Sequence, residues 1–236
     1  MKSIINWDKV QSQSTTFKNS TPFKFAFIEE FIDRKFYEKL YETYPVIDDT
    51  WDLRSDFSKH QYAKHWSTEK NSICYPGDDS NFSQYWNEFK RYCESDEFIN
   101  NLKTFSGIPI SKFKHIVFTS YKQGGFQLPH IHNVGPSTII MMVYFSKNWK
   151  QGSPGGTFMA TEENEDSIVF EPYNLDNSVA LFQDSPKSSH GVRYISENVT
   201  RQGIQIMFEG YSETTGWSGG TNDEINKQRA VEQIEL

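Results

Sequence analysis

Hydrophobic positions follow two rhythms along this chain, and the change between them falls near residue 110. After a polar leader, PFKFAFIEEFI at 22–32 sets Phe23, Phe25 and Phe27, and then Ile28, in the short alternation of a strand. Asp33 stands where a helix cap belongs, and Phe36, Leu40 and Tyr44 recur every four residues until Pro45, which predicts one helix. Residues 46–80 are polar with scattered Trp and read as loops. Ser83 opens a second helix, with Trp86, Phe89 and Cys93 on one face and Phe98 and Leu102 continuing it to Gly107 and Pro109.

From Phe113 onward the pattern shortens. KHIVFTSY, STIIMMVYF, GTFMAT, SIVFEP, SVALFQ, HGVRYIS and RQGIQIMFEGY are β-rich runs separated by Gly, Pro and Asn clusters, the signature of a sandwich or barrel. No helix-length pattern interrupts them, which argues against a parallel α/β sheet. The end, SETTGWSGGTNDEINKQRAVEQIEL, is Gly-rich and then charged, as a loop followed by a short helix or tail would be. The expected organisation is a single domain over 1–236, mainly β (α+β). A strand and supporting helices would fill 22–110, a barrel core 113–211 and a C-terminal loop or tail 212–236.

Composition narrows the partners. The chain has 236 residues, and 19 Phe, 12 Tyr and 6 Trp supply a core despite a mean hydropathy of -0.68, which excludes general disorder. Lys and Arg number 24 against 31 Asp and Glu, so a net charge of -7 opposes sequence-independent nucleic-acid binding. No run approaches the ~18 apolar residues of a membrane span, and MKSIINWDKVQSQ lacks the segments of a signal peptide, so a soluble, cytoplasmic protein is expected. Cys74 and Cys93 form no CxxC pair and are expected to be reduced thiols without chemistry. Sequons at Asn19, Asn81 and Asn198 carry no weight without a secretory signal. Oligomeric state is not legible.

Three of the six histidines lie where strands end. In LPHIHNVG, His130 and His132 project from one face if the segment is extended, and His190 follows in SPKSSHGV. A strand-borne His-x-His with one distant His offers three imidazoles to a metal and leaves other positions open. The same spacing also arises between ordinary loop histidines. His60, His65 and His115 lack such partners and read as surface or structural residues.

The order of features around the histidines resembles a family. Tyr121, His130-Ile-His132, MMVYFSKNW at 141–149, Gly155-Gly156, VALF at 179–182, His190-Gly-Val and Arg201 in RQGIQIMF succeed one another as in the iron(II)- and 2-oxoglutarate-dependent dioxygenases, most closely the prolyl 4-hydroxylase-like branch. The resemblance covers residues 113–211, with a weaker extension over 22–45. It implies a double-stranded β-helix, a jelly-roll or cupin-like barrel, which agrees with the strand pattern. It also implies Fe(II) as metal, 2-oxoglutarate and O2 as cosubstrates, and hydroxylation of an unidentified small-molecule or peptidyl substrate.

By that resemblance His130 and His190 are metal ligands, while His132 stands where the family has its carboxylate. This departure exchanges one negative charge for a neutral imidazole. Arg201 would pair with the distal carboxylate of 2-oxoglutarate, Tyr144 would reach the same group, and Tyr121 would line the pocket. Alternation along RQGIQIMF puts Arg201, Gly203 and Gln205 on one face and Ile204, Ile206 and Phe208 on the other. Arg193 is the second-ranked carboxylate partner, too near His190 to reach the far end of the diacid. Gly155 and Gly156 would serve a tight turn. Because ligation needs neutral imidazoles, metal affinity is expected to weaken as pH falls through ~6.5.

Two other readings compete. Gly124, followed by five residues and then His130-x-His132, partly matches a cupin motif, although NVGPST lacks the expected glutamate and a cupin has no use for Arg201. A non-catalytic binding module on the same barrel is the third.

Overall fold

The computed structural model describes residues 3–66, 77–132, 134–147, 149, 153, 155–212 and 216–217. Two short helices, α1 (Trp7–Ser12) and α2 (Ser14–Asn19), occupy the leader, each burying one apolar residue, Val10 and Phe17. β1 (Phe25–Glu29) and α3 (Arg34–Glu42) follow as expected, with the Asp33 carboxylate accepting from the Lys35 and Phe36 amides at the helix start. The helix stops at Glu42. Tyr44, beyond it, buries its hydroxyl within 2.9 and 2.8 Å of the Thr119 and Gly203 carbonyl oxygens.

Two expectations fail in the N-terminal half. The segment 46–80 is not all loop: β2 (Asp52–Ser55) and β3 (Lys59–His65) form an antiparallel hairpin. The single helix expected over 83–107 is two, α4 (Gln84–Glu94) and α5 (Asp96–Ser106). Ser95 is the reason for the break, because it adopts an extended conformation and its hydroxyl accepts from the Phe98 amide, with Asp96 and Glu97 in the first turn of α5. Gly107, at φ 70°, ends α5.

The remaining strands of the main sheet are β4 (Lys112–Tyr121), β5 (Phe126–His130), β6 (Thr138–Phe145), β7 (Thr157–Ala160), β8 (Ile168–Phe170), β9 (Asp176–Gln183), β10 (Ser189–Val192) and β11 (Arg201–Glu209). All seven β-rich runs read from the sequence are strands. They join in one 11-stranded antiparallel sheet, ordered β1-β9-β6-β11-β4-β3-β5-β10-β7-β8, with β2 on β3. The sheet curls. β3 forms the seam, since Tyr62–His65 pair with β4 while Lys59 and His60 pair with β5. On the far side Phe170 of β8 lies 5.7 and 5.5 Å from Phe25 and Phe27 of β1, closing the barrel with rings.

Both faces of the major wall are covered, which is why TIIMMVYF is apolar throughout. Ile139, Met141, Val143 and Phe145 of β6 pack under the helices with Trp86, Phe89 and Phe118, while Ile140, Met142 and Tyr144 point into the barrel with Phe182 and Met207. β11 divides as expected: Ile204, Ile206 and Phe208 join the helix-side core, leaving Arg201, Gly203 and Gln205 on the barrel side. Cys93 is fully buried in that core, and burial pushes its thiol pKa up, consistent with an inert residue. Cys74, most of the stretch after Gly210 and the expected tail lie outside the described residues. No helix among the described residues is long and apolar enough to cross a membrane.

Candidate functional site

β5 and β10 carry two of the three singled-out histidines in direct register, His130 opposite His190. Gly191 makes this approach possible, since a Cβ there would stand 2.6 Å from the Gln127 carbonyl oxygen. His132, two residues past the end of β5, turns its ring back to the pair. Its Nε2 is 3.3 Å from Nε2 of His130 and 3.2 Å from Nε2 of His190. Ligand atoms of all three lie within 4.8 Å of one another.

The outer nitrogens fix the rings. His130 Nδ1 lies 3.1 Å from the Leu128 carbonyl oxygen and His190 Nδ1 lies 3.0 Å from that of Ser188. A carbonyl only accepts, so each Nδ1 carries the proton and each Nε2 presents a lone pair inward. Imidazole nitrogens sharing one metal at about 2.1 Å and angles of 90–110° stand about 3.0–3.4 Å apart, the spacing found at His132. The donor set therefore fits a divalent cation. Burial depresses the pKa of all three histidines, aided by their neighbours' charge, taking His132 down to about 3. The rings are neutral and ready to ligate well below pH 6.5, so the window in which acid weakens metal binding moves lower than the sequence alone suggests.

Arg201 lies deeper in the barrel and has no solvent exposure. Its guanidinium sits between two rings, 4.7 Å from the centroid of Tyr121 and 5.2 Å from that of Tyr144. Nη2 donates to Thr157 Oγ1 at 2.9 Å, whereas Nε and Nη1 are buried with no partner among the described residues. An unpaired buried cation is costly. Orphaned donors at Nε and Nη1 leave the guanidinium with free N–H groups on two edges, which an anionic acceptor such as a carboxylate would satisfy. Tyr144 accepts the Thr157 amide at its hydroxyl, and Tyr121 faces Arg201 across β4 and β11. Burial raises the pKa of both phenols, that of Tyr121 to about 12, so both remain protonated.

One cavity of about 470 Å³ is lined by the three histidines and, among others, by Tyr121 and Thr157, behind which Arg201 is packed. Tyr121 and the histidine cluster are joined through Gln127, which lies 2.9 Å from the Tyr121 hydroxyl and 3.3 Å from His130 Nε2. Gln61 of β3 meets the same hydroxyl. A phenol has one proton, so one of the two glutamines turns its NH2 toward it.

The sequence did not single out Gln61, Gln127, Thr157 or Asp184. Asp184 is buried between β9 and β10 and accepts the Val134 and Gly135 amides, tying the loop after His132 to the turn before His190. Thr157 directly follows Gly155-Gly156, the one signal that pointed to it. Gly155 adopts φ 134°, and a Cβ there would stand 2.5 Å from the Trp149 ring. Arg193 lies elsewhere, its guanidinium bonded to Glu171 and Glu165 at 3.0 and 3.4 Å. His65 and His115 stand in the cavity wall, while His60 bonds Ser55 at 2.9 Å.

Neither a protein-family model nor a curated protein matches the chain. Solved structures do. A prolyl-4-hydroxylase of Pseudomonas putida aligns over 87% of this chain and 99% of its own, with a TM-score of 0.58 and 10% identity. The fold is that of the 2-oxoglutarate oxygenases. A Trichoplax adhaerens prolyl hydroxylase solved with a hypoxia inducible factor peptide fragment aligns over 86% and 88% at a TM-score of 0.54 and 16% identity. HygX of Streptomyces hygroscopicus, solved with nickel, 2-oxoglutarate and hygromycin B, aligns over 86% and 89% at 0.53 and 11%. At these identities the likeness extends to the double-stranded β-helix and not to the substrate.

Proposed function

We propose that this chain is a non-haem iron(II)- and 2-oxoglutarate-dependent dioxygenase, a hydroxylase whose metal is held by three histidines. One observation carries the reading: three inward-facing imidazole nitrogens line a cavity whose wall includes Tyr121 and Thr157, the residues against which a buried guanidinium with two orphaned donors is packed. A cupin-type metal site has no need of such an arginine, and a binding module has no need of the histidines.

His130, His132 and His190 would hold the metal through Nε2, and a bound Fe(II) would supply Lewis acidity and electron transfer toward O2 and a 2-oxo acid. The Leu128 and Ser188 carbonyls keep two of the rings in the ligating tautomer. Arg201 would pair with the distal carboxylate of 2-oxoglutarate through its unpartnered donors, while Thr157 accepts from Nη2 and holds the guanidinium in place. Tyr121 and Tyr144 flank that fork and exclude water from it, so the ion pair forms in a low-dielectric pocket. Because no carboxylate ligates, the site keeps one more positive charge than a two-histidine, one-carboxylate centre.

Succinate release from 2-oxoglutarate with Fe(II) and O2 is the test, made on the native chain and on His132→Asp. Restoring the carboxylate is expected to raise turnover while metal binding persists. If 2-oxoglutarate fails to bind the metal-loaded native chain, or binds equally well after Arg201→Ala, the proposal is wrong.

A further inference from the structure

The cavity carries more positive charge than the metal and cosubstrate would use. Among the described residues its lining includes Arg54 and Lys59 and no Asp or Glu, in a chain with seven more acids than bases. Several cations elsewhere are matched, Arg34 with Asp176, Lys90 with Glu94 and Arg193 with Glu171. Arg54 instead donates from Nη2 to the imidazole Nε2 of His65 at 2.8 Å. Lys59, half-buried at the start of β3, pairs in register with Gln127, whose amide reaches His130. Neither forms an ion pair with a carboxylate among the described residues. Asp56, the acid nearest Lys59 in the hairpin, spends its Oδ1 on the Ser58 and Lys59 amides and the Ser58 hydroxyl. Asp52 is not part of the cavity wall.

Charge accounting then asks for a further anion. On the dioxygenase reading, a divalent metal and Arg201 contribute three positive charges, and 2-oxoglutarate brings two negative ones. One positive charge remains, the one a carboxylate at position 132 would have cancelled, and Arg54 and Lys59 add two more. Low-dielectric walls focus such a field on small anions, while the net charge of -7 repels polyanions at longer range. The two cations stand on β2 and β3, the hairpin over the seam; the charge of Lys59 reaches His130 and His132, and that of Arg54 reaches Tyr121.

We infer that the prime substrate is a small molecule or peptide bearing an oxyanion, a carboxylate or a phosphate, which Arg54 and Lys59 bind while its reacting carbon faces the three histidines. This rests on the dioxygenase reading and adds to it the charge class of the substrate.

The test uses the full chain loaded with Mn(II) and saturated with 2-oxoglutarate under anaerobic conditions. Inorganic phosphate, hexanoate and the uncharged control hexanamide are titrated in turn, read by metal-induced relaxation of 31P or 1H signals. Both anions are expected to bind near the metal and hexanamide not to. The double variant Arg54→Gln/Lys59→Gln should weaken anion binding about tenfold or more and 2-oxoglutarate binding by less than about twofold, and Lys59→Arg should keep both. The tighter of phosphate and hexanoate identifies the group. Unchanged anion affinity in the double variant, or a parallel loss of 2-oxoglutarate affinity, overturns the inference. Failure of the native chain to bind 2-oxoglutarate, measured before any anion is added, overturns the dioxygenase reading instead.

Discussion

β6 and β3 lie on either side of the paired strands β4 and β11, and they could hardly be less alike. TIIMMVYF is buried along its whole length, with one face under the helices and the other in the barrel. KHQYAKH puts Lys59, Gln61 and His65 into the cavity wall and buries fully only Gln61 and Ala63. The apolar wall owes its stability to area and shape, which any well-fitting hydrocarbon supplies. The polar seam owes little stability to its side chains, but each supplies a donor or a charge that a hydrocarbon would not replace. Substitutions in the two regions should therefore separate stability from binding.

The largest effect is expected in the helix-backed wall. Phe118 is fully buried among Phe82, Trp86 and Tyr44, with ring centroids 5.0, 4.7 and 5.5 Å away. Phe118→Ala should lower the unfolding free energy by about 3–5 kcal/mol in urea titrations, from lost transfer energy plus the cavity left behind. A loss below about 1 kcal/mol would show that the aromatic cluster collapses around the gap and does not act as a rigid wall.

Arg201 should behave in the opposite way. It is fully buried with one protein hydrogen bond, so the ligand-free chain carries an incompletely compensated charge. Arg201→Met keeps much of the volume and removes that charge, and should leave stability unchanged or raise it by about 1 kcal/mol. The same change should weaken 2-oxoglutarate binding about a hundredfold, the scale of a lost buried charge-assisted pair. Calorimetric titration and urea unfolding of one variant check both signs. A protein that loses stability and keeps its cosubstrate would assign Arg201 to the structure of the barrel.

The same contrast explains what could be read from the sequence. β6, β9 and β11 were legible because buried faces leave apolar alternation or runs in the chain, and Asp33 and Ser83 marked their helices by cap chemistry. β3 was not legible because a strand facing a polar cavity has polar residues on its buried side, which removes the apolar period that identifies strands. Missing β3 concealed Gln61, Lys59 and Arg54 with it. The three histidines and Arg201 were found through their order along the chain, but Thr157 and Gln127 needed the pairing of distant strands. The break at Ser95 did leave a trace, since the five-residue step from Cys93 to Phe98 departs from helical spacing where α4 ends and α5 begins.

A third substitution, in the polar wall itself, gives the smallest effect and one that depends on pH. His115 lines the cavity from β4, and burial, with lesser contributions from Lys114 and His65, lowers its pKa to about 4. Its unfolded value is ~6.5. Between these values the unfolded chain binds a proton that the folded chain refuses, so stability from this residue is complete above pH 6.5 and drains away as pH falls toward 4. His115→Gln cannot titrate and should reduce the acid dependence of stability between pH 6.5 and 4.5, by at most about 1.4 kcal/mol per pH unit. Urea midpoints of the metal-free chain at pH 7 and pH 5 measure it. An unchanged difference between the two midpoints would mean that water reaches His115 through the cavity and solvates its charged form, so that the polar wall is wet where the helix-backed wall is dry.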